Sequence, residues 1–157
     1  MAVGRGELFE RRIELACRQY EEQGIAMIHR TEGKWRGTSR GKAYLSASEK
    51  GMPDFLGSHA GQAVAIEAKS TARKSWELRN WKPEQVERMR KHREQGAQAW
   101  ILLEWQFANE VYRIPFVTAY EWWKESVLGG RKSVPYSEMS KGVQVKEGRG
   151  VTLDFLI

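Results

Sequence analysis

PDFLGSHAGQAVAIEAKS, residues 53–70, holds two apolar runs of strand length separated by glycine and small polar residues. The pattern predicts a strand over 53–56, a second over 63–70, and a polar turn from Gly57 to Gln62 closing them as a hairpin. Side chains alternate across a strand, so Glu67 and Lys69 share one face while Ile66 and Ala68 point into the opposite layer. Pro53 and Asp54 lie on the first strand, and the hairpin brings Asp54 beside Glu67.

Two adjacent carboxylates repel and are unfavourable to bury, and a divalent cation is the common reason a protein assembles such a pair next to a lysine. Mg²⁺ takes hard oxygen ligands, keeps several waters, and can hold water against a phosphodiester. Lys69 then orients or deprotonates that water, or stabilises charge on the phosphate. The plainer alternative is a strand-edge ion pair with no chemistry.

Working outward, residues 4–23 place Phe9, Ile13, Ala16 or Cys17, and Tyr20 on one helical stripe, with Gly24 where a left-handed cap is wanted. Ile25 to Ile28 reads as a short buried strand. From Arg30 to Lys50 the chain is basic and glycine-punctuated, with no regular element evident, and connections of this length tend to be functional arms or disordered segments. Downstream, a helix is expected from Pro83 to about Gln95, with Val86 and Met89 on one side and basic residues on the other. Strands follow over Trp100–Trp105 and Val111–Ile114, then a helix over 115–127, while 129–157 shows no clear period. Helix and strand alternate in an α/β layer fold, and 157 residues suit one domain.

Lys and Arg number 26 against 20 Asp and Glu, a net charge of +6 that favours a polyanionic partner. The cations cluster in two stretches. The 31–52 arm carries Lys34, Arg36, Arg40 and Lys42 with Trp35 and Tyr44 between them, and the second strand is followed by Arg73, Lys74, Arg79, Lys82, Arg88 and Arg90. Lysines and arginines in such clusters contact phosphates and position a protein without reading sequence. The interleaved aromatic residues are suited to stacking on unpaired bases. Arg5, near the start of the first helix, joins the expected DNA contacts. Trp100, Trp105, Trp122 and Trp123 sit in apolar segments and read as core or interface anchors.

The same reading excludes several classes. Cys17 is the lone cysteine, so no intrachain disulfide or cysteine-built zinc site is available. No apolar run approaches the ~18 residues of a membrane span, the start MAVGRGELFE lacks a signal-peptide layout, and a cytoplasmic location is expected. No glycine-rich phosphate loop, Ser/His/Asp set or dinucleotide fingerprint is present, so no nucleotide cofactor is expected. His29, His59 and His92 show no paired metal spacing.

Pro53, Asp54, Glu67, Ala68 and Lys69 together resemble the PD-(D/E)XK nuclease signature, in the setting of the RecU-type and phage Holliday junction resolvases. The opening GRGELFERRIELACRQYEEQGIAMIHR resembles that family's first helix and strand, IEAKSTARKSWELRNWKPEQVERMRKH its catalytic strand and following helix, and GRKSVPYSEM, more loosely, its late Arg-Lys-Ser segment. The resemblance implies a restriction-endonuclease-like core, with a central mixed β-sheet flanked by helices and a basic arm between the first two strands. It implies Asp54 and Glu67 as metal ligands, Lys69 as the catalytic lysine, Gln85 as a further metal-site residue and Glu10 as an acidic helper from the first helix. The implied activity is Mg²⁺-dependent cleavage of four-way DNA junctions by a homodimer, with Mn²⁺ able to substitute. A duplex-cutting restriction or repair nuclease and a branched-DNA-binding protein without catalysis are the rival expectations. Where RecU proteins carry a threonine two residues before the aspartate, this chain has Met52, which offers no oxygen to a hard metal, and its arm is shorter.

Overall fold

The hairpin at 53–70 forms, with a turn of two residues rather than the six expected. In a computed structural model that describes residues 3–31 and 50–157, plus the backbone alone of 35–37 and 43–45, strand β4 covers Phe55–His59 and β5 Gln62–Thr71. Ala60 and Gly61 both take positive φ, 50° and 78°, as tight two-residue hairpin turns require. Gly57 is therefore a strand residue, and its missing side chain answers a close approach rather than a turn: a Cβ there would lie 2.0 Å from the Met27 carbonyl oxygen. Gly57→Ala is expected to destabilise the fold by about 2 kcal/mol or more, read as a lowered urea midpoint at unchanged slope. Pro53 and Asp54, expected within the first strand, lie just before it.

Helix α1 (Arg5–Glu22) leads into β1 (Ala26–Arg30), followed by the short pair β2 (Trp35–Gly37) and β3 (Ala43–Leu45). After the hairpin come β6 (Ser75–Glu77), a 3-10 turn at Leu78–Asn80, α2 (Pro83–Glu94), β7 (Gln98–Trp105), β8 (Glu110–Pro115), α3 (Phe116–Val127), β9 (Ser133–Pro135), a second 3-10 turn and β10 (Val143–Val145). The main sheet has six strands in the order β1-β4-β5-β7-β8-β10. Only β5 and β7 pair in parallel, joined by the α2 crossover, so the sheet is mixed, as expected. β2 pairs with β3 and β6 with β9.

Each face of the sheet has its own core. On one side Phe9, Ile13 and Tyr20 of α1 pack on Ile28, Phe55, Val64 and Ile66. On the other, Val86, Met89, Ala119 and Trp122 cover Ala65, Ile101 and Leu103, with Trp76, Trp81 and Trp105 filling the same layer. The pleat of β5 thus sends Val64 and Ile66 toward α1 and Ala65 toward α2 and α3, and the same alternation carries Glu67 and Lys69 onto the α2 face. α1 closes at Gly24 (φ 69°), with Ile25 N–H donating to Tyr20 O and Gly24 N–H to Glu21 O, the paired bonds of a left-handed helix cap.

The stretch 129–157, which showed no period, completes both layers. β9 pairs along β6 and β10 along the edge of β8, and Val151, Leu153, Phe155 and Leu156 lie buried beneath α1. The Tyr20 hydroxyl donates to Asp154 at 2.6 Å and accepts from Leu156 N–H at 3.1 Å, while Arg149 grips the same carboxylate with two bonds of 2.6 Å. Among the described residues no helix is long and apolar enough to cross a membrane.

Candidate active site

Three strand-derived groups meet where β4 begins and β5 approaches its end. Phe55 pairs with Ile66 across the hairpin, so Asp54, one residue earlier, comes opposite Glu67 on the same face. Asp54 Oδ2 accepts the Ala68 backbone N–H at 2.8 Å, and the Asp54 carbonyl accepts Thr31 N–H at 2.8 Å. Thr31 also donates its hydroxyl to Pro53 O at 2.5 Å. The aspartate is therefore gripped from both sides by backbone. Glu67 is 1% exposed. Its Oε1 lies 3.8 Å from Lys69 Nζ and receives the Gln85 amide at 3.4 Å, whereas Oε2 has no hydrogen-bond partner.

Gln85 is the hinge of this arrangement. From the first turn of α2 its Oε1 accepts the Lys82 backbone N–H at 2.9 Å and Lys69 Nζ at 3.1 Å, and its Nε2 faces Glu67. Lys69 donates further to Asn80 O at 2.8 Å. One glutamine thus caps α2 and orients both the lysine and the glutamate.

Burial pushes the Glu67 carboxyl well above its usual range, and the Asp54 charge adds to the rise; Lys69 opposes it. Glu10 reaches the group from α1. Its carboxyl is pushed up to about 7, first by burial and then by Asp54, against the pull of Arg30. Arg30 NH2 bonds Glu10 Oε2 and Glu7 Oε2, each at 2.6 Å, so one guanidinium ties two carboxylates of α1 to the end of β1. Sequence reading assigned Arg30 only to the basic arm and gave Thr31 no part. Their one sequence signal is position, at the close of a strand that must run beside Asp54.

A pH dependence follows. In the unfolded chain Glu10 and Glu67 titrate near ~4.3, below their folded values, so the stability these groups contribute is complete below ~4.3 and lost as pH rises through the folded values, about 7 for Glu10. Glu110, Glu138 and Asp154 are held low by hydrogen bonds from Tyr112 and Tyr136, from Lys141, and from Arg149 respectively, and act oppositely, losing their contribution as pH falls through the acid range. In EDTA the melting temperature is expected to decline from about pH 5 to pH 8, and a divalent ion, competing with protons for the carboxylates, is expected to flatten that decline. Melting scans with and without Mg²⁺ check both.

The Recombination protein U (RecU) family model matches residues 4–157. This chain belongs to the RecU family. Among its relatives, the Holliday junction resolvase RecU of Staphylococcus carnosus is 31% identical over 147 residues, 88% of this chain and 71% of that protein. The protein of the same name from Geobacillus kaustophilus is 25% identical over 164 residues, 98% of this chain and 82% of that one. The solved structure of Archaeoglobus fulgidus Hjc, a Holliday junction resolvase, superposes with a TM-score of 0.55 at 18% identity, covering 87% of this chain and 93% of that one. That likeness shows the fold alone, a central mixed sheet flanked by helices, as expected.

Other expected site residues of this RecU chain are placed as follows. Arg5 donates to Gln106 Oε1 at 2.7 Å. Arg73 and Arg79 both pair with Glu77, at 3.3 and 2.5 Å, and Lys74 Nζ lies 5.6 Å from the Phe107 ring centroid. All four are at the surface. Lys34, Arg40 and Lys42 lie outside the described residues; Trp35 and Arg36 contribute backbone to β2, and their side chains are likewise outside. Met52, where the family resemblance expects a threonine, has its sulfur 3.6 Å from the Arg88 guanidinium. Trp105 and Trp122 are buried and Trp123 partly so, while Trp100 packs under Arg113, 4.9 Å from its ring centroid; the tryptophans read as anchors do pack on the cores. Among the described residues no group of three or more His, Cys, Asp or Glu is gathered for a metal. Asp54 and Glu67 are the two carboxylates here that could hold an ion, and one or two carboxylates with waters are what Mg²⁺ ordinarily takes.

Proposed function

We propose that the chain, acting as one nuclease domain, is a divalent-metal-dependent endonuclease that resolves four-way DNA junctions in recombination. The observation that carries this reading is the buried Glu67 carboxylate, one oxygen unpartnered, set against Asp54 and beside Lys69. An orphaned buried anion is a large penalty unless a cation joins it, so the residues present fit the metal that the family implies. Asp54 and Glu67 would hold the ion, Mg²⁺ or, in its place, Mn²⁺. Once bound, a divalent ion acidifies water and offsets charge on the phosphate.

The chain's own groups do the rest. Lys69, fixed by Asn80 O and Gln85, orients the attacking water and lends positive charge to the phosphate in the transition state. Gln85, implied by the resemblance as a metal-site residue, has its oxygen already taken by two donors, and its part is to place Lys69 and Glu67. Glu10, with a carboxyl titrating near neutrality, accepts a proton at the edge of the site. The water oxygen bonds to phosphorus, its proton passing to Glu10, as the bond to the 3′ oxygen breaks and that oxygen takes a proton from solvent, leaving a 5′-phosphate and a 3′-hydroxyl. Arg5, Arg73, Lys74 and Arg79 contact phosphates around the site, joined by Lys34, Trp35, Arg36, Arg40 and Lys42 of the arm. A junction has approximate twofold symmetry and needs two strands of like polarity cut, so a symmetric homodimer with two sites suits it.

Competition tests the substrate class. A labelled four-way junction is expected to be cut in the presence of excess unlabelled linear duplex of equal length. Equal inhibition by duplex and by unlabelled junction would point instead to a duplex-cutting nuclease on the same core.

A further inference from the structure

Beside the site a cavity of about 700 Å³ opens between β6, the start of α2 and the end of α3, lined by Trp81, Pro83, Trp123 and Val127. Its volume lies within the ~300–1,000 Å³ of small-ligand sites. Trp123 ends a run of stacked rings on α3, with Phe116 and Tyr120 at 5.2 Å and 15° and Tyr120 and Trp123 at 6.3 Å and 14°. The indole N–H of Trp123 donates to Trp81 O at 3.1 Å, which fixes the ring in place. The rim is cationic: Arg79, Lys82 and Lys132 line it with a single carboxylate, Glu77, already paired to Arg79 and Arg73.

The cavity adjoins the reaction site through shared and hydrogen-bonded residues. A smaller polar hollow of about 310 Å³, lined by Ser70, Thr71, Arg73 and Asn80, shares Ser75, Glu77 and Arg79 with it, and the Asn80 carbonyl accepts Lys69 Nζ at 2.8 Å. Lys82 on the rim gives its backbone N–H to Gln85, the residue that holds Lys69. A strand whose phosphate reached Lys69 would therefore run over Arg73 and Arg79 toward a space with an aromatic wall and a positive mouth. An apolar peptide would gain nothing from that rim, whereas a nucleotide matches both parts: the base on the rings and the phosphate on the cations.

Resting on the resolvase reading, we infer that this cavity takes one unstacked nucleotide of the junction, adjacent to the scissile phosphate, with its base against Trp123 and its phosphate at Arg79, Lys82 and Lys132. The pocket holds the strand in register for cutting and favours substrates whose bases are already free to leave the helix.

The test uses the full chain in EDTA and synthetic four-way junctions with 5-iodouracil at single positions flanking the mapped nick. Irradiation is expected to give one strong adduct, on the peptide containing Trp123. An abasic site at that position is expected to weaken wild-type binding about tenfold. Val127→Trp fills the cavity from an exposed position remote in sequence from Asp54, Glu67 and Lys69. This variant is expected to bind the intact junction about tenfold more weakly and to be indifferent to the abasic site. Trp123→Phe is expected to bind more tightly than Trp123→Leu. Normal junction binding in EDTA together with normal cutting in Mg²⁺ by Val127→Trp, or adducts confined to other peptides, would overturn the pocket while leaving the resolvase reading intact. Failure of the wild-type chain to bind junctions at all would remove both.

Discussion

Glu67→Gln is expected to silence junction cleavage and at the same time to make the metal-free protein more stable at pH 8. The two effects share one cause. Glu67 is 1% exposed, with one carboxylate oxygen unpartnered and the Asp54 charge beside it, so the ionised form is held under strain that only a cation or a proton relieves. An amide of the same shape removes the buried charge and offers Asp54 a donor. In a chain of this length each kcal/mol recovered raises the melting temperature by about 2–4 °C. Cleavage should fall by at least the ~10²–10³-fold that one electrostatic group at a transition state supplies, and Mg²⁺ should no longer raise the melting temperature. A variant that is both inactive and less stable than wild type would show that Glu67 holds the fold rather than the ion.

Asp54→Asn is expected to lose cleavage just as fully while keeping the junction bound. Asp54 accepts the Ala68 N–H at 2.8 Å, and the amide oxygen of asparagine can keep that bond, so the junction of β4 and β5 stays closed. What is lost is the second anionic donor. Removing an anion beside the bound phosphate does not weaken phosphate contacts made by the basic residues, so gel-shift affinity without divalent ion should match or exceed wild type. Because Asp54 contributes to the raised carboxyl of Glu10, the metal-free decline in melting temperature from pH 5 to pH 8 should also become shallower. Turnover at the wild-type rate would remove Asp54 from the site.

Local periodicity carried most of the fold. The stripe Phe9, Ile13, Ala16 or Cys17, and Tyr20 is buried on α1, with both Ala16 and Cys17 inside, and the alternation that set Glu67 and Lys69 on one face of β5 is the alternation seen in the two cores. Gly57 misled because a glycine forced by the passing Met27 backbone looks, in one dimension, like a turn glycine. The tail was illegible because its stabilising contacts, such as Tyr20 with Asp154, join residues more than a hundred positions apart and leave no period behind. At the site, residue types and strand spacing were enough to bring Asp54, Glu67 and Lys69 together. The Arg30 bridge between Glu7 and Glu10 and the double use of the Gln85 oxygen were not visible, since each depends on where a helix end meets a strand end.

The most direct trial of the account is to incubate the chain with a synthetic mobile four-way junction labelled in turn on each strand, with Mg²⁺ and with EDTA, and to map every nick. The account predicts paired nicks at symmetric positions on two strands of like polarity, each ending in a 5′-phosphate, appearing with Mg²⁺ and absent in EDTA. Nicks of equal yield in EDTA, or intact strands in both Mg²⁺ and Mn²⁺, would contradict it.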